Sequence, residues 1–287
     1  MITRNGDFFL LSTKNTSYCF HVLKTGQLEH IYYGAKITAD SGADPLAERR
    51  IAEPGNVVVY SAEDPVFSLE DACLEYSSYG KGDMREPFIE LENDDGTRTC
   101  DFIFEKAEIT KGAPSFRTLP SSYDESGSTE HLAVTLKDRN CGHTLELHYF
   151  VYEDCDVITR SARFVCGQSG VKLLRLMSTQ TDFDDCGYIF TQFTGEWARE
   201  MHRNSVPVSS GKLINSSCAG TSSNRANPFV MLSREETSED WGPCYAFNLV
   251  YSGNHYECAE KSGFGRTRFV SGINPAGFTF ILAPGED

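Results

Sequence analysis

Ser17-Tyr18-Cys19-Phe20-His21-Val22-Leu23, then Lys24-Thr25-Gly26-Gln27, then Leu28-Glu29-His30-Ile31-Tyr32-Tyr33, is the stretch that decides the fold. Its first segment alternates with period two and is rich in aromatic and β-branched residues. The Gly-containing tetrad reads as a hairpin turn, so the whole spells strand, turn, strand. The same pattern recurs outward in both directions. Asp7–Ser12 opens a strand before it. Phe88–Glu92 and Thr99–Lys106 flank Asn93-Asp94-Asp95-Gly96, and the Asp95-Gly96 dipeptide predicts a second hairpin. His131–Lys137 and Thr144–Tyr152 around Asp138–Gly142 predict a third. Asp156–Val165 and Lys172–Asp182 around Cys166–Gly170 predict a fourth. Cys244–Tyr251, His255–Lys261, Arg266–Ile273 and Gly277–Leu282 read as further strands joined by short Gly-containing turns.

Helical signals are scarce. Ser68–Leu74 is good for a turn or two, with Ser68 as cap and Glu70 and Asp71 in the first turn. Residues 38–66 form a long irregular excursion around Ala43-Asp44-Pro45-Leu46-Ala47-Glu48-Arg49-Arg50. Such loops in compact domains are functional or disordered. The reading gives about 15 or more strands, and open sheets beyond ~10 strands tend to split or pack in pairs. The expected fold is all-β: one large two-sheet β-sandwich, a single domain over residues 1–287 with no internal repeat.

Composition narrows the function. Hydrophobic residues are 40% and charged residues 23% of 287, the balance of a globular chain. Apolar runs such as Val57–Tyr60 fall far short of the ~20 residues of a membrane-spanning helix. The net charge of −15 argues against nucleic acid and anionic membranes as partners, and leaves a neutral ligand such as a sugar open. The ten cysteines show no CxxC spacing. Met1-Ile2-Thr3-Arg4-Asn5-Gly6-Asp7 has no apolar core of a signal peptide. The expectation is a cytoplasmic protein whose thiols stay reduced, most of them small core residues.

No Gly-x-Ser-x-Gly elbow, phosphate loop or dinucleotide fingerprint is present. His143 and His148 are five apart in an expected strand and so face opposite ways, which suits structural histidines better than metal ligands. Asp182-Phe183-Asp184-Asp185 gathers three carboxylates, either a solvated turn or a carboxylate pair for glycosidic or metal chemistry. In Gly82-Asp83-Met84-Arg85-Glu86-Pro87, Asp83 and Arg85 are placed to pair at a structural corner. Trp197 lies among charged residues just past an aromatic strand. Its indole suits stacking on a sugar or packing at an interface, with burial and exposure both open. Trp241 lies in a polar turn. No metal and no cofactor is expected.

Several ordered motifs carry a resemblance. They are Asn15-Thr16-Ser17-Tyr18, Gly26-Gln27-Leu28-Glu29-His30-Ile31-Tyr32-Tyr33-Gly34, Tyr79-Gly80-Lys81-Gly82-Asp83-Met84-Arg85-Glu86-Pro87 and Leu119-Pro120-Ser121-Ser122-Tyr123. Gly195-Glu196-Trp197-Ala198-Arg199-Glu200, Asn227-Pro228-Phe229 and Tyr251-Ser252-Gly253-Asn254 follow in order. Together they resemble the N-terminal region of bacterial alpha-galactosidases of glycoside hydrolase family 36, across essentially the whole chain.

The resemblance implies a β-supersandwich that precedes a catalytic (β/α)₈ barrel and a small C-terminal β domain. It implies an enzyme that removes terminal alpha-galactose from melibiose- and raffinose-type sugars by a retaining double displacement. A barrel needs about 250 residues, which the strand pattern leaves no room for, so the expectation is a fragment inactive by itself. The family's Lys-Trp-Asp nucleophile motif matches neither tryptophan. The resemblance further implies a tetramer in which this region lends residues to a neighbour's galactose pocket. Glu48, where the family enzyme compared has Asp, and Trp197, as a pocket wall, are the substrate-binding positions it assigns. The alternatives are a stand-alone carbohydrate-binding module and an oligomerisation scaffold.

Overall fold

The computed structural model describes residues 1–38, 46–47, 55, 57–116, 119–125 and 127–287. Among them are eighteen strands and two three-residue 3₁₀ turns, with no α-helix. Among the described residues no helix is long and apolar enough to cross a membrane. One 3₁₀ turn, Leu69–Asp71, is the helical turn anticipated at Ser68, whose Oγ accepts from the Glu70 N–H at 3.3 Å.

The opening hairpin forms as its sequence reads. Strand β3 (Thr16–Val22) pairs β4 (Leu28–Ala35), with Tyr18 opposite Tyr33, Phe20 opposite His30 and Val22 opposite Leu28. Gly26 sits in the turn at φ 97°, and a Cβ there would lie 2.8 Å from that of Ile103, so only glycine fits. β1 (Ile2–Asn5) and β2 (Phe8–Ser12) extend the meander to four strands. A second meander joins β6 (Phe102–Lys111), β7 (Glu130–Asp138), β8 (Thr144–Tyr152) and β9 (Val157–Val165). A third sheet has the order β12 (Arg199–Pro207), β11 (Ile189–Glu196), β14 (Phe229–Ser233), β15 (Cys244–Asn248). The fourth runs β13 (Lys212–Ser216), β16 (His255–Lys261), β17 (Thr267–Ile273), β10 (Val171–Phe183), β18 (Phe280–Leu282), and β10 also pairs β5 (Ile89–Asn93).

The chain is thus all-β and antiparallel, in four hydrogen-bonded sheets where the sequence suggested two. The excess traces to two anticipated hairpins that do not pair. The Asn93–Gly96 turn forms, with the Gly96 N–H on the Asn93 carbonyl at 2.8 Å. Its flanking strands then part: β5 lays buried Ile89 and Leu91 along β10, while β6 pairs β7. Likewise β9 pairs β8, and β10 takes β5, β17 and β18 instead. Alternation marks a strand without naming its partner.

Two cores hold the sheets together. Phe9 and Phe20 from the first meander, Leu132 and Tyr149 from the second, and Met177 and Val270 from the six-stranded sheet share the larger. Phe190, Val230 and Leu232 of the third sheet meet Phe183 and Phe269 of the six-stranded sheet in the smaller. Each such side chain contributes roughly 1.5–3 kcal/mol on burial. Five cysteines are buried (Cys19, Cys73, Cys100, Cys166 and Cys258), two are half-buried and three exposed, so half rather than most are core residues.

Candidate functional site

The β11–β12 hairpin stands out from this packing. All nine residues of β12 are exposed, on both faces of the strand. Trp197 sits at the hairpin tip with 89% of its surface in solvent. That settles the question the sequence left open: the indole is offered outward. The indole therefore takes no part in either core.

Local backbone chemistry builds the tip. The register slips between Thr194 and Glu196, a bulge that turns the ribbon. Gly195 lies so close to the returning strand that a Cβ would fall 2.4 Å from the Arg199 carbonyl oxygen. Ala198 and Met201 hold left-handed φ of 60° and 59°, rare for residues with side chains. The Ala198 N–H donates to Glu200 Oε1 at 3.0 Å.

The hairpin's root is clamped from the core. Asn227 donates from its backbone N–H to the Phe193 carbonyl at 3.0 Å and from Nδ2 to the same oxygen at 3.1 Å. Nδ2 also reaches Met201 Sδ at 3.4 Å. Asn227 is fixed in turn by Asn215, whose Nδ2 serves its carbonyl and Glu257 Oε2. Neighbouring Ala226 is held by His255 Nε2 at 2.9 Å. The Asn227-Pro228-Phe229 motif therefore has a mechanical role that sequence alone did not supply.

The other candidates resolve into structure. Asp83 and Arg85 do pair, at 2.8 Å, but inside a buried four-charge cluster. Arg268 bridges Asp83 at 2.8 Å and Asp182 at 2.7 Å, and Arg85 reaches Asp182 at 3.1 Å. Burial pushes the Asp83 carboxyl up, but the Arg268 and Arg85 guanidiniums override it and hold it well below the ordinary carboxylate range. Of the three neighbouring carboxylates, Asp182 is consumed by this cluster, Asp184 is exposed, and Asp185 pairs with Arg234. They do not converge on one point. Among the described residues, no group of three or more His, Cys, Asp or Glu is placed to hold a metal ion.

His143 precedes β8 rather than lying in it; its Nε2 meets Asn93 Oδ1 at 2.9 Å and its Nδ1 accepts from the Gly167 N–H. His148 stacks against His131, with His131 Nε2 3.0 Å from His148 Nδ1. Trp241 is 67% exposed in its turn. Glu48 lies outside the described residues.

A second buried network had no signal in the sequence. Glu75, without solvent exposure, accepts from Tyr18 and Tyr149 hydroxyls at 2.6 and 2.7 Å and faces His30 at 2.8 Å and Arg160 at 3.1 Å. Burial raises its carboxyl, yet Arg160 and His30 prevail and lower it. Its partners come from β3, β4, β8 and β9, so it ties the two meanders together through charge and hydrogen bonds.

With this geometry in view, known proteins give a consistent comparison. The alpha-galactosidase AgaA of Geobacillus stearothermophilus is 35% identical over 280 residues, 97% of this chain and 38% of that protein. The bifunctional alpha-galactosidase/sucrose kinase AgaSK of Mediterraneibacter gnavus is 33% identical over 98% of this chain and 30% of its own length. The crystal structure of a Lactobacillus brevis alpha-galactosidase superposes with a TM-score of 0.93 at 34% identity, over 97% of this chain and 38% of that one. A variant of AgaA crystallised with raffinose superposes equally well, at 0.93 and 34%. The chain spans roughly 30–38% of the length of these curated relatives. Residues 26–283 match the glycosyl hydrolase family 36 N-terminal domain, and the chain belongs to that family.

Proposed function

We propose that this chain serves as the N-terminal part of an alpha-galactosidase acting on raffinose-type oligosaccharides by a retaining mechanism, and that its part in that reaction is to present Trp197 to the sugar. The observation that carries the reading is the exposed indole on a built, clamped hairpin tip. A planar apolar ring suits the apolar face of a galactose unit. Retaining hydrolysis needs two carboxyl groups about 5–5.5 Å apart flanking a substrate. The carboxylates described above are locked into ion pairs or stand apart, which supports a catalytic pair on a barrel domain outside this chain.

The family resemblance supplies the recipient, a neighbouring subunit's pocket in a tetramer, and a ribbon exposed on both faces is compatible with it. Glu48 joins Trp197 on the strength of the family resemblance. Two cores sharing one central sheet support the supersandwich arrangement. Ten cysteines without a disulfide support a cytoplasmic setting.

The test is hydrolysis of an aryl alpha-galactoside by the 287-residue chain alone and by a polypeptide that continues into the barrel. The expected result is no turnover above buffer for the first and full turnover for the second. Comparable rates would overturn the division of labour.

A further inference from the structure

A cleft of about 540 Å³ opens between the edges of two sheets, a size within the ~300–1,000 Å³ of small-molecule sites. Its walls are β9, β15 with the segment that follows it, and residues 113, 114, 116 and 119–122. β9 and β15 are outermost strands of their sheets, with no ladder partner among the described residues on the side away from β8 and β14. The floor comes from β10 and β17 where their register slips between Met177 and Thr179. Gly272 makes that bulge possible, since a Cβ there would fall 2.8 Å from the Met177 Cα. The bulge places Ser178 and Thr179 on the lining.

Three features define what the cleft would hold. First, it offers no net charge. Arg160 is the one charged residue among the described lining, and its guanidinium is spent on Glu75, the Gln180 carbonyl and the Tyr18 hydroxyl. Second, the polar groups of Thr179, Asn248 and Ser271 are set in a lining that is otherwise largely apolar, with Phe116, Ile158 and Phe247 in it, and Ser161 Oγ is buried without a hydrogen-bond partner. Third, Tyr251 is a half-buried ring set in place. Gly253 passes beneath it so closely that a Cβ would sit 2.5 Å from Tyr251 Cε1. The Tyr251 N–H is tied to the Leu249 carbonyl at 2.9 Å.

We propose that this cleft binds a short neutral oligosaccharide, with Tyr251 as the stacking platform and the hydroxyl-lined floor as the hydrogen-bonding face. An anion finds no free cation here, and a purely apolar ligand would strand the polar floor. The proposal goes beyond the role given to Trp197 and stands independently of it.

The test is calorimetry of the 287-residue chain with raffinose, using four variants. Tyr251→Ala and Gly253→Ala, the second of which displaces the ring while keeping it, are expected to weaken binding about tenfold or more. Tyr251→Phe, which keeps the stacking face, and Trp241→Ala, which lies outside the cleft lining, are expected to bind as the parent does. Far-UV dichroism checks each fold. Should Tyr251→Ala fail to fold, Asn248→Trp, a substitution at an exposed position that fills the cleft, reads the same loss. Absence of binding by the parent at millimolar raffinose would overturn the proposal. So would binding that survives both Tyr251→Ala and Gly253→Ala, which would put the sugar outside the cleft.

Discussion

Replacing Arg268 by Leu removes the centre of the buried charge cluster while keeping an apolar side chain in its place. Arg268 has no solvent exposure. Its guanidinium donates to Asp182 Oδ1 and Oδ2 at 2.7 Å each, to Asp83 Oδ2 at 2.8 Å, and to Ser77 Oγ and the Glu86 carbonyl at 3.1 Å. In the variant, two buried carboxylates share Arg85 alone. One negative charge is left uncompensated in a buried site, and removing one partner of a buried pair costs about 3–5 kcal/mol. Urea unfolding at neutral pH, followed by far-UV dichroism, should show a loss of that size. Acid adds a sign. The folded Asp83 carboxyl is depressed, so its contribution is fully present above the unfolded value near ~3.9 and fades as pH falls through the folded value. The variant's deficit should therefore narrow on acidification. A loss under about 1 kcal/mol at neutral pH would refute the reasoning, because it would place water or another cation at the carboxylates.

Two further outcomes follow from particular residues. Gly195→Ala drives a Cβ into the Arg199 carbonyl, so the hairpin tip should rearrange at a cost of about 1–3 kcal/mol confined to an exposed ribbon. Amide exchange at the tip should accelerate; exchange at the tip that matches the parent would contradict the strain. Burial, aided by His148, holds the His131 imidazole down to about 4, so the folded state resists the proton that the unfolded chain takes up near 6.5. Stability should then be full above 6.5 and decline as pH falls towards 4, with a slope of at most about 1.4 kcal/mol per unit for one proton. His131→Phe keeps the stack on Phe150 and should flatten that slope, which urea midpoints across the range will record.

Period-two alternation made strands legible, and Gly26 and Gly96 made turns legible, because both signals are local. Partner choice was not. β5 leaves its turn for β10 because burying Ile89 and Leu91 in the shared core outweighs closing a hairpin, and that core is assembled from residues far apart in sequence. The same non-locality hid Glu75, whose four polar partners come from four strands. Asp83 and Arg85 were recognisable as a pair, but their enclosure by Arg268 and Asp182 was not. Trp197 was singled out by its charged neighbours, and its exposure then followed from Gly195 and a bulge. The clamp at Asn227 and the orphan hydroxyl of Ser161 had no sequence signal, since each acquires meaning only from a carbonyl or a cleft supplied by another strand.

The measurement closest to the centre of this account is the KM for raffinose of an alpha-galactosidase carrying this chain, with and without Trp197→Ala. If the indole walls the sugar pocket, truncation should raise KM by about tenfold, the equivalent of ~1.4 kcal/mol of stacking. Unchanged KM and kcat would contradict the account and return Trp197 to the surface as a residue without a part in the reaction.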